Sequence, residues 1–367
     1  MDTVPPAVSD RNMKGDFGAQ PVVVDPTHVW FPRNTEYEIF RSGGKAHTLG
    51  AFLILGHKER FDIPVFPLRR VSERAHAEGG LIDLEKHNWP WSVAIVPVLK
   101  PDLFELANNH HWRVEFGVRN WAVPAPAWMK LPGNGSGTDT EEAWTHYGFE
   151  TYYALLNCGF RLKPTAGTAN GVHPVPLGFS RVYVQCGDFS YEKWMQGLAQ
   201  GRSFVTTGPL LLAVANGKWS GEHFKAQGKL RVRVQGSVYF ESLRYRVQLV
   251  RNGEVIEVDD LTPRTNPDDG TTRMAFFNRE LEMEESGWVA VRTFVEMPDG
   301  RTRFAHTAPW WVEIEGQPLR PRREQADWFV QRTEEEIARN TGVLPAAALA
   351  EFHEALAAWK KIQATAK

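Results

Sequence analysis

The sequence predicts an α/β layer, followed by an antiparallel β-sandwich-like unit and a helical end. Three observations predict it. Between residues 21 and 212, short apolar runs alternate with helical spacing, which is the pattern of strands and helices packed in layers. After about residue 212 the apolar period changes to two. At the end the period lengthens again, with Leu349, Phe352, Leu356 and Trp359 forming one helical stripe. The expected division is an irregular lead-in over 1–20, an α/β domain over 21–212, a β-sandwich-like domain over 213–316 and a helical segment over 317–367. A chain of 367 residues is long enough to give each main unit its own core.

Each element has a local reason. Val22 to Val24 and Thr27 to Phe31 read as short strands broken by Pro26 and Pro32. Ala51 to Leu55 is a compact apolar run of the buried-strand kind, reached through the Gly43-Gly44 turn. Arg69 to Glu78 reads as a helix, with Val71, Ala75 and Ala77 spaced for one face and Gly79-Gly80 as its stop. Leu81 to Leu84 and Ala94 to Val98 read as strands, as does Asp102 to Asn109. Residues 118–146 are rich in Pro and Gly and read as a long irregular loop. Tyr152 to Leu156 resumes helical spacing and Arg181 to Gln185 a strand. Ser190 then caps a helix that ends at Gly201.

In the second half Leu230, Val232 and Val234 alternate with Lys229, Arg231 and Arg233. Asn252-Gly253 between alternating runs is a hairpin signal. Pro298-Asp299-Gly300 marks another turn, between the runs 288–294 and 303–314. Helices are expected over Ala326 to Arg339 and again from Pro345, which suits a first helical turn.

Composition narrows the function. A formal charge of −2 offers no global basic field for nucleic acid. No apolar run reaches the length a membrane helix needs. Cys158 and Cys186 are too few for a disulfide framework. A soluble, cytoplasmic protein is expected from the chain as written, or a secreted or periplasmic one had its N-terminus been trimmed. H-E-x-x-H, P-loop, G-x-S-x-G and G-x-G-x-x-G patterns are all absent, which weighs against zincin, NTPase, α/β-hydrolase and dinucleotide chemistry.

Position singles out a metal-type ligand set. Glu38 and His47 flank a Gly-Gly turn, so a hairpin would bring carboxylate and imidazole together. His87 follows the 81–84 strand directly, at the end where α/β proteins place ligands. His110 and His111 follow a second strand-end segment. Imidazole with carboxylate suits zinc or manganese, either of which turns bound water into hydroxide. Arg161, Lys86 and Arg181 are candidate cations for a developing oxyanion.

Several segments resemble motifs of the PHP (polymerase and histidinol phosphatase) superfamily. Glu38 with Ala46-His47-Thr48-Leu49-Gly50 resembles its glutamate and H-x-L-G motif, and Ala75 to Leu81 with His87 resembles its A-H-x-x-G-G…H motif. Asp102 to Asn108 is similar to its D-x-x-E-x-x-N strand. Leu155 to Arg161, Ala166-Gly167-Thr168 and Gly201 to Pro209 look most like the carbaryl-hydrolase-like branch. The resemblance spans roughly residues 35–220. It implies a partial or distorted β/α barrel whose strand ends hold divalent metal and hydrolyse esters, amides or phosphoesters. Carried over, Glu38 is a bridging carboxylate, with Glu36 the alternative, and His47 and His87 are imidazole ligands. The family's opening D-x-H-x-H strand has no counterpart, and Ala169 and Gly171 stand where it has an aspartate and a histidine. The expected site is therefore reduced, to one metal held by Glu38, His47 and His87 with His110, His111 or His173.

The competing expectation is a non-catalytic binding protein on the same scaffold. Trp89, Trp91, Trp112, Trp121, Trp128 and Trp144 would line a pocket for a small molecule or carbohydrate-like ring. A sheet edge left by the missing opening strand would favour a homo-oligomer.

Overall fold

A computed structural model describes residues 20–367, apart from 32–33, 43–44, 62, 86–88, 90, 113–122, 133–139, 170–173, 241, 243, 266, 268–269 and 271–272. The Gly43-Gly44 turn lies outside the described residues.

Strands β1 (Val22–Asp25) and β2 (His28–Trp30) form a small exposed hairpin. The α/β layer follows. Its sheet runs β3 (Thr35–Ser42), β4 (Lys45–Leu55), β5 (Leu81–Leu84), β6 (Leu103–Ala107) and β7 (Lys163–Ala166) in spatial order. β3, β4 and β5 pair antiparallel, and β5, β6 and β7 pair parallel. Side chains alternate across a strand. Tyr37, Ile39, Phe52, Leu84 and Phe104 thereby share one face, and all are buried. Against that face pack Trp91 and Tyr152, the first edge-on to Phe52.

Helix α1 (Leu68–Ala77) lies where Val71 and Ala75 require it, and Gly79 in the left-handed region ends it. Ala94 to Val98, expected as a strand, instead enters a short helix, α2 (Val96–Leu99). Pro97 favours a first helical turn, and Val96, Val98 and Leu99 are all buried, so tertiary packing overrides the β preference of the run. Helix α3 (Glu141–Asn157) begins well before the expected Tyr152, inside the stretch read as loop. Thr140 accepts a hydrogen bond from the Ala143 amide, and Glu141 and Glu142 occupy the positive first turn. Helix α4 (Tyr191–Gln200) is capped by Ser190 and ended by Gly201, as expected.

The β region has two sheets around a second core. Four strands form one: β10 (Leu210–Ala215), β12 (Leu230–Phe240), β16 (Arg273–Met283) and β15 (Thr262–Thr265). The other contains β11 (His223–Ala226), β19 (Trp310–Ile314), β17 (Gly287–Glu296), β18 (Thr302–Thr307), β9 (Ser203–Thr206) and β8 (Arg181–Val184). It is extended by β13 (Tyr245–Arg251) and β14 (Glu254–Glu257), joined by the Asn252-Gly253 turn with both residues at positive φ. The change of layer comes earlier than the change of period. β8 and β9 already belong to the large sheet, and the boundary expected at 212/213 falls inside β10.

Helices α5 (Arg323–Asn340) and α6 (Ala346–Gln363) pair with each other and return to the α/β layer. Trp359 Nε1 donates to the Ala94 carbonyl at 2.9 Å. The Glu351 carboxylate accepts from the amides of Leu68 and Arg69, capping α1. The whole is a mixed α/β arrangement with six α-helices, and no sheet closes into a barrel among the described residues. Among the described residues, no helix is long and apolar enough to cross a membrane.

Candidate functional site

The second face of the five-stranded sheet carries the polar groups. Glu36 stands opposite Leu53, Glu38 opposite Ala51, Asp83 opposite Leu53 and Leu103, and Glu105 opposite Thr165. Alternation therefore places Glu36, Glu38, Asp83, Glu105 and Thr165 on one face, with Glu85 directly after β5. Glu105 sits near the carboxyl end of a parallel strand, where open α/β sheets form ligand crevices.

Local contacts hold these groups. Thr165 Oγ1 donates to Asp83 Oδ2 at 2.6 Å. Asp83 Oδ1 is buried with no hydrogen-bond partner. Burial raises the Asp83 carboxyl to about 7; the Thr165 hydroxyl opposes this and the nearby charge of Asp102 adds to it. Asn108 Nδ2 donates to Glu105 Oε2 at 3.1 Å. Gly167 leaves room on the other side, since a Cβ there would stand 2.5 Å from Glu105 Oε1. Asp102 also accepts from the Ile82 amide and pairs with His76 Nε2 at 2.9 Å, which raises the imidazole's pKa.

The expected ligands fall as follows. Glu38 is half-buried on this face. His47 lies on β4, but its Nε2 is 2.8 Å from Asn340 Oδ1 at the end of α5, so a helix residue engages the imidazole. His110 and His111 form a 3-10 turn after β6, which Asn108 caps by accepting from the His110 amide. The His110 ring stands beside Trp144, and His111 is buried with Nδ1 accepting from the Asn108 amide. Lys86, His87 and His173 lie outside the described residues. Among the described residues, no three His, Cys, Asp or Glu side chains are grouped to hold one metal ion.

The two described cations are apart. Arg161 precedes β7, where its Nη1 donates to His223 Nδ1 at 3.2 Å and its guanidinium lies 5.4 Å from the Trp311 ring. Arg181 begins β8, beside Tyr183 and the Gly208 carbonyl, and lines a different groove. Of the tryptophans expected around a pocket, Trp91 and Trp144 are buried in the core. Trp128 packs edge-on against Trp328, and Trp112 edge-on against Phe179. Trp121 lies outside the described residues.

Sequence reading missed Asp83, Glu85 and Lys163. A lone carboxylate inside the apolar run Leu81-Ile82-Asp83-Leu84 was the available signal for the first. Glu105 stood within the D-x-x-E-x-x-N segment without being singled out. No family model matches this chain, and neither does any curated protein.

Proposed function

We propose that this protein is a metal-dependent hydrolase of ester, amide or phosphoester bonds, on a partial PHP-type scaffold with a reduced metal set. The observation that supports it best is the run of Glu38, Asp83 and Glu105 across one sheet face, leading to the carboxyl ends of β5, β6 and β7. Their oxygens suit a hard divalent ion such as manganese, and imidazole would suit zinc. The buried, unpartnered Asp83 Oδ1 and the close fit of Glu105 against Gly167 are compatible with that use. Glu38 and Glu105 would be the carboxylate ligands, and His87, His110 and His173 the candidate imidazoles. When bound, the ion supplies hydroxide from water or polarises a carbonyl or phosphoryl oxygen.

The chain's own part is positioning. Asn108 holds one oxygen of Glu105 and fixes its rotamer, and Thr165 does the same for Asp83. A second reading, a non-catalytic binding protein for a carbohydrate-like ligand, draws support from His47, whose imidazole is taken by Asn340.

Metal analysis of the purified protein tests the choice, followed by a hydrolysis screen over aryl esters, carbamates and phosphoesters. Stoichiometric zinc or manganese that is lost in Glu105→Gln, together with turnover of one substrate class, is expected. A folded, metal-free and inactive protein would overturn the proposal in favour of binding.

A further inference from the structure

A cleft of about 670 Å³ opens at the other end of β7, where the strand begins. It is bounded by the start of β7, the Gly201-Arg202 turn after α4, the Gly217 to His223 stretch before β11, and Ala308 to Trp311. This is the size of a small-molecule site. Its lining holds four cations, Arg161, Lys163, Arg202 and Lys218, against one carboxylate, Glu222. None of the four pairs with a carboxylate among the salt bridges of the described residues. Nearby charges are few: Asp102 acts on Lys163, and Glu222 and Glu313 act on His223.

The geometry is that of an anion receptor. Arg161 is braced by His223 and the Trp311 ring, so its guanidinium is held rather than free to swing. Its bond to His223 Nδ1 leaves the ring proton on Nε2. Lys163 is half-buried, and burial with the neighbouring Arg161 lowers its pKa. Trp219 lines the same cleft with 42% of its surface exposed, an unusual position for a tryptophan without a partner surface. Beyond Arg161 and His223 lies a second groove of about 240 Å³, lined in part by Phe224, Pro318 and Leu319.

We propose that this cleft binds a small phosphate monoester with a flat organic ring, its phosphate held by Arg161, Lys163 and Arg202 and its ring against Trp219. A net excess of three cations matches a dianion better than a monocarboxylate, and the fork of Arg161 suits paired phosphate oxygens. The site is separate from the proposed metal centre and stands whether or not the chain is a hydrolase.

Calorimetric titration with phenyl phosphate, inorganic phosphate, benzoate and phenol tests it, with a chelator present to silence any bound metal. Phenyl phosphate should saturate one site, inorganic phosphate should bind more weakly, and benzoate and phenol should be weaker still. Arg161→Gln and the exposed Arg202→Gln should each weaken phenyl phosphate about tenfold. Circular dichroism would verify the fold of both variants. Absence of saturable binding, or affinity unchanged within about twofold in folded Arg202→Gln, would overturn the proposal. Benzoate binding as tightly as phenyl phosphate would overturn the phosphate assignment.

Discussion

The two ends of β7 differ in charge and in how they are built. At its carboxyl end the strand meets Glu105, Asn108 and Gly167, and carboxylates dominate. At its amino end Arg161 and Lys163 enter a cleft with four cations and one carboxylate. The acidic groups come from adjacent strands of one sheet, so pairing register sets their spacing. The basic groups come from the α/β layer, the α4–β9 turn and the β10–β11 connection, so they meet only when the two sheets are packed together. The two ends of one short strand thus hold two different chemistries.

The largest effect expected along this contrast is chemical. Glu105→Gln should lower hydrolytic turnover by about a hundredfold or more, while Arg202→Gln leaves metal content unchanged. Metal loss in the Arg202 variant would break the separation of the two ends. Asp83 should reveal the acidic end in stability. Its carboxyl is raised in the folded state from 3.8 to about 7, so its contribution is fully present below pH 4 and lost as pH rises through 7. Asp83→Asn should therefore gain stability over the parent at pH 8 relative to pH 5. Between these two pH values the gain is at most about 3 kcal/mol, from the roughly two units between pH 5 and the folded value at 1.36 kcal/mol per unit. Denaturant titrations at the two pH values would measure it, and an equal difference at both would refute it.

Gly167→Val should be smaller, destabilising by about 1–3 kcal/mol as Glu105 or the β7 end shifts to admit the new atoms. A thermal melt reads it, and addition of the activating metal should rescue less of the loss than in the parent. The smallest effect should come from Lys163→Met at the basic end. Its side chain packs without a carboxylate partner, so stability should change by no more than about 1 kcal/mol while phenyl phosphate affinity falls. A large loss of stability there would make Lys163 structural.

Two histidines set an acid limit that these measurements will meet. Burial lowers His146 and His306 to about 3. Their contribution is present above the unfolded value near 6.5 and is lost as pH falls below it. His306 is fixed between the Tyr153 hydroxyl at 2.8 Å and the Thr307 carbonyl at 2.6 Å.

Much of the fold was legible because its elements are marked locally. Ser190 and Gly201 bracket α4, and Asn252-Gly253 turns β13 into β14. The start of α3 was marked as well, by Thr140-Glu141-Glu142, but the preceding Pro and Gly residues masked it. α2 was not legible, because Val and Ile carry β preference and only tertiary burial turns the segment into a helix. Membership of β8 and β9 in the large sheet rests on the pairing of β9 with β18, about a hundred residues later in the chain, with β8 added on β9, which no local pattern reports.

The same holds for the sites. The pairing of β3, which carries Glu38, with β4 was legible as a hairpin. The engagement of His47 by Asn340 was not, since 293 positions separate them. The basic cleft was illegible for the same reason: Arg161 and His223 are neighbours only in space.

The cap that Glu351 places on α1 has a consequence for how the protein is made. Residues 68 and 69 leave the ribosome long before residue 351, and Asn340 and Trp359 likewise reach back to His47 and Ala94. Until the last two helices emerge, the first layer has exposed amides and an uncovered apolar face. Such a nascent chain is a natural client for chaperones that shield apolar surface. A ribosome stalled before residue 323 should display a protease-sensitive first layer, and one stalled well past residue 367 should protect it.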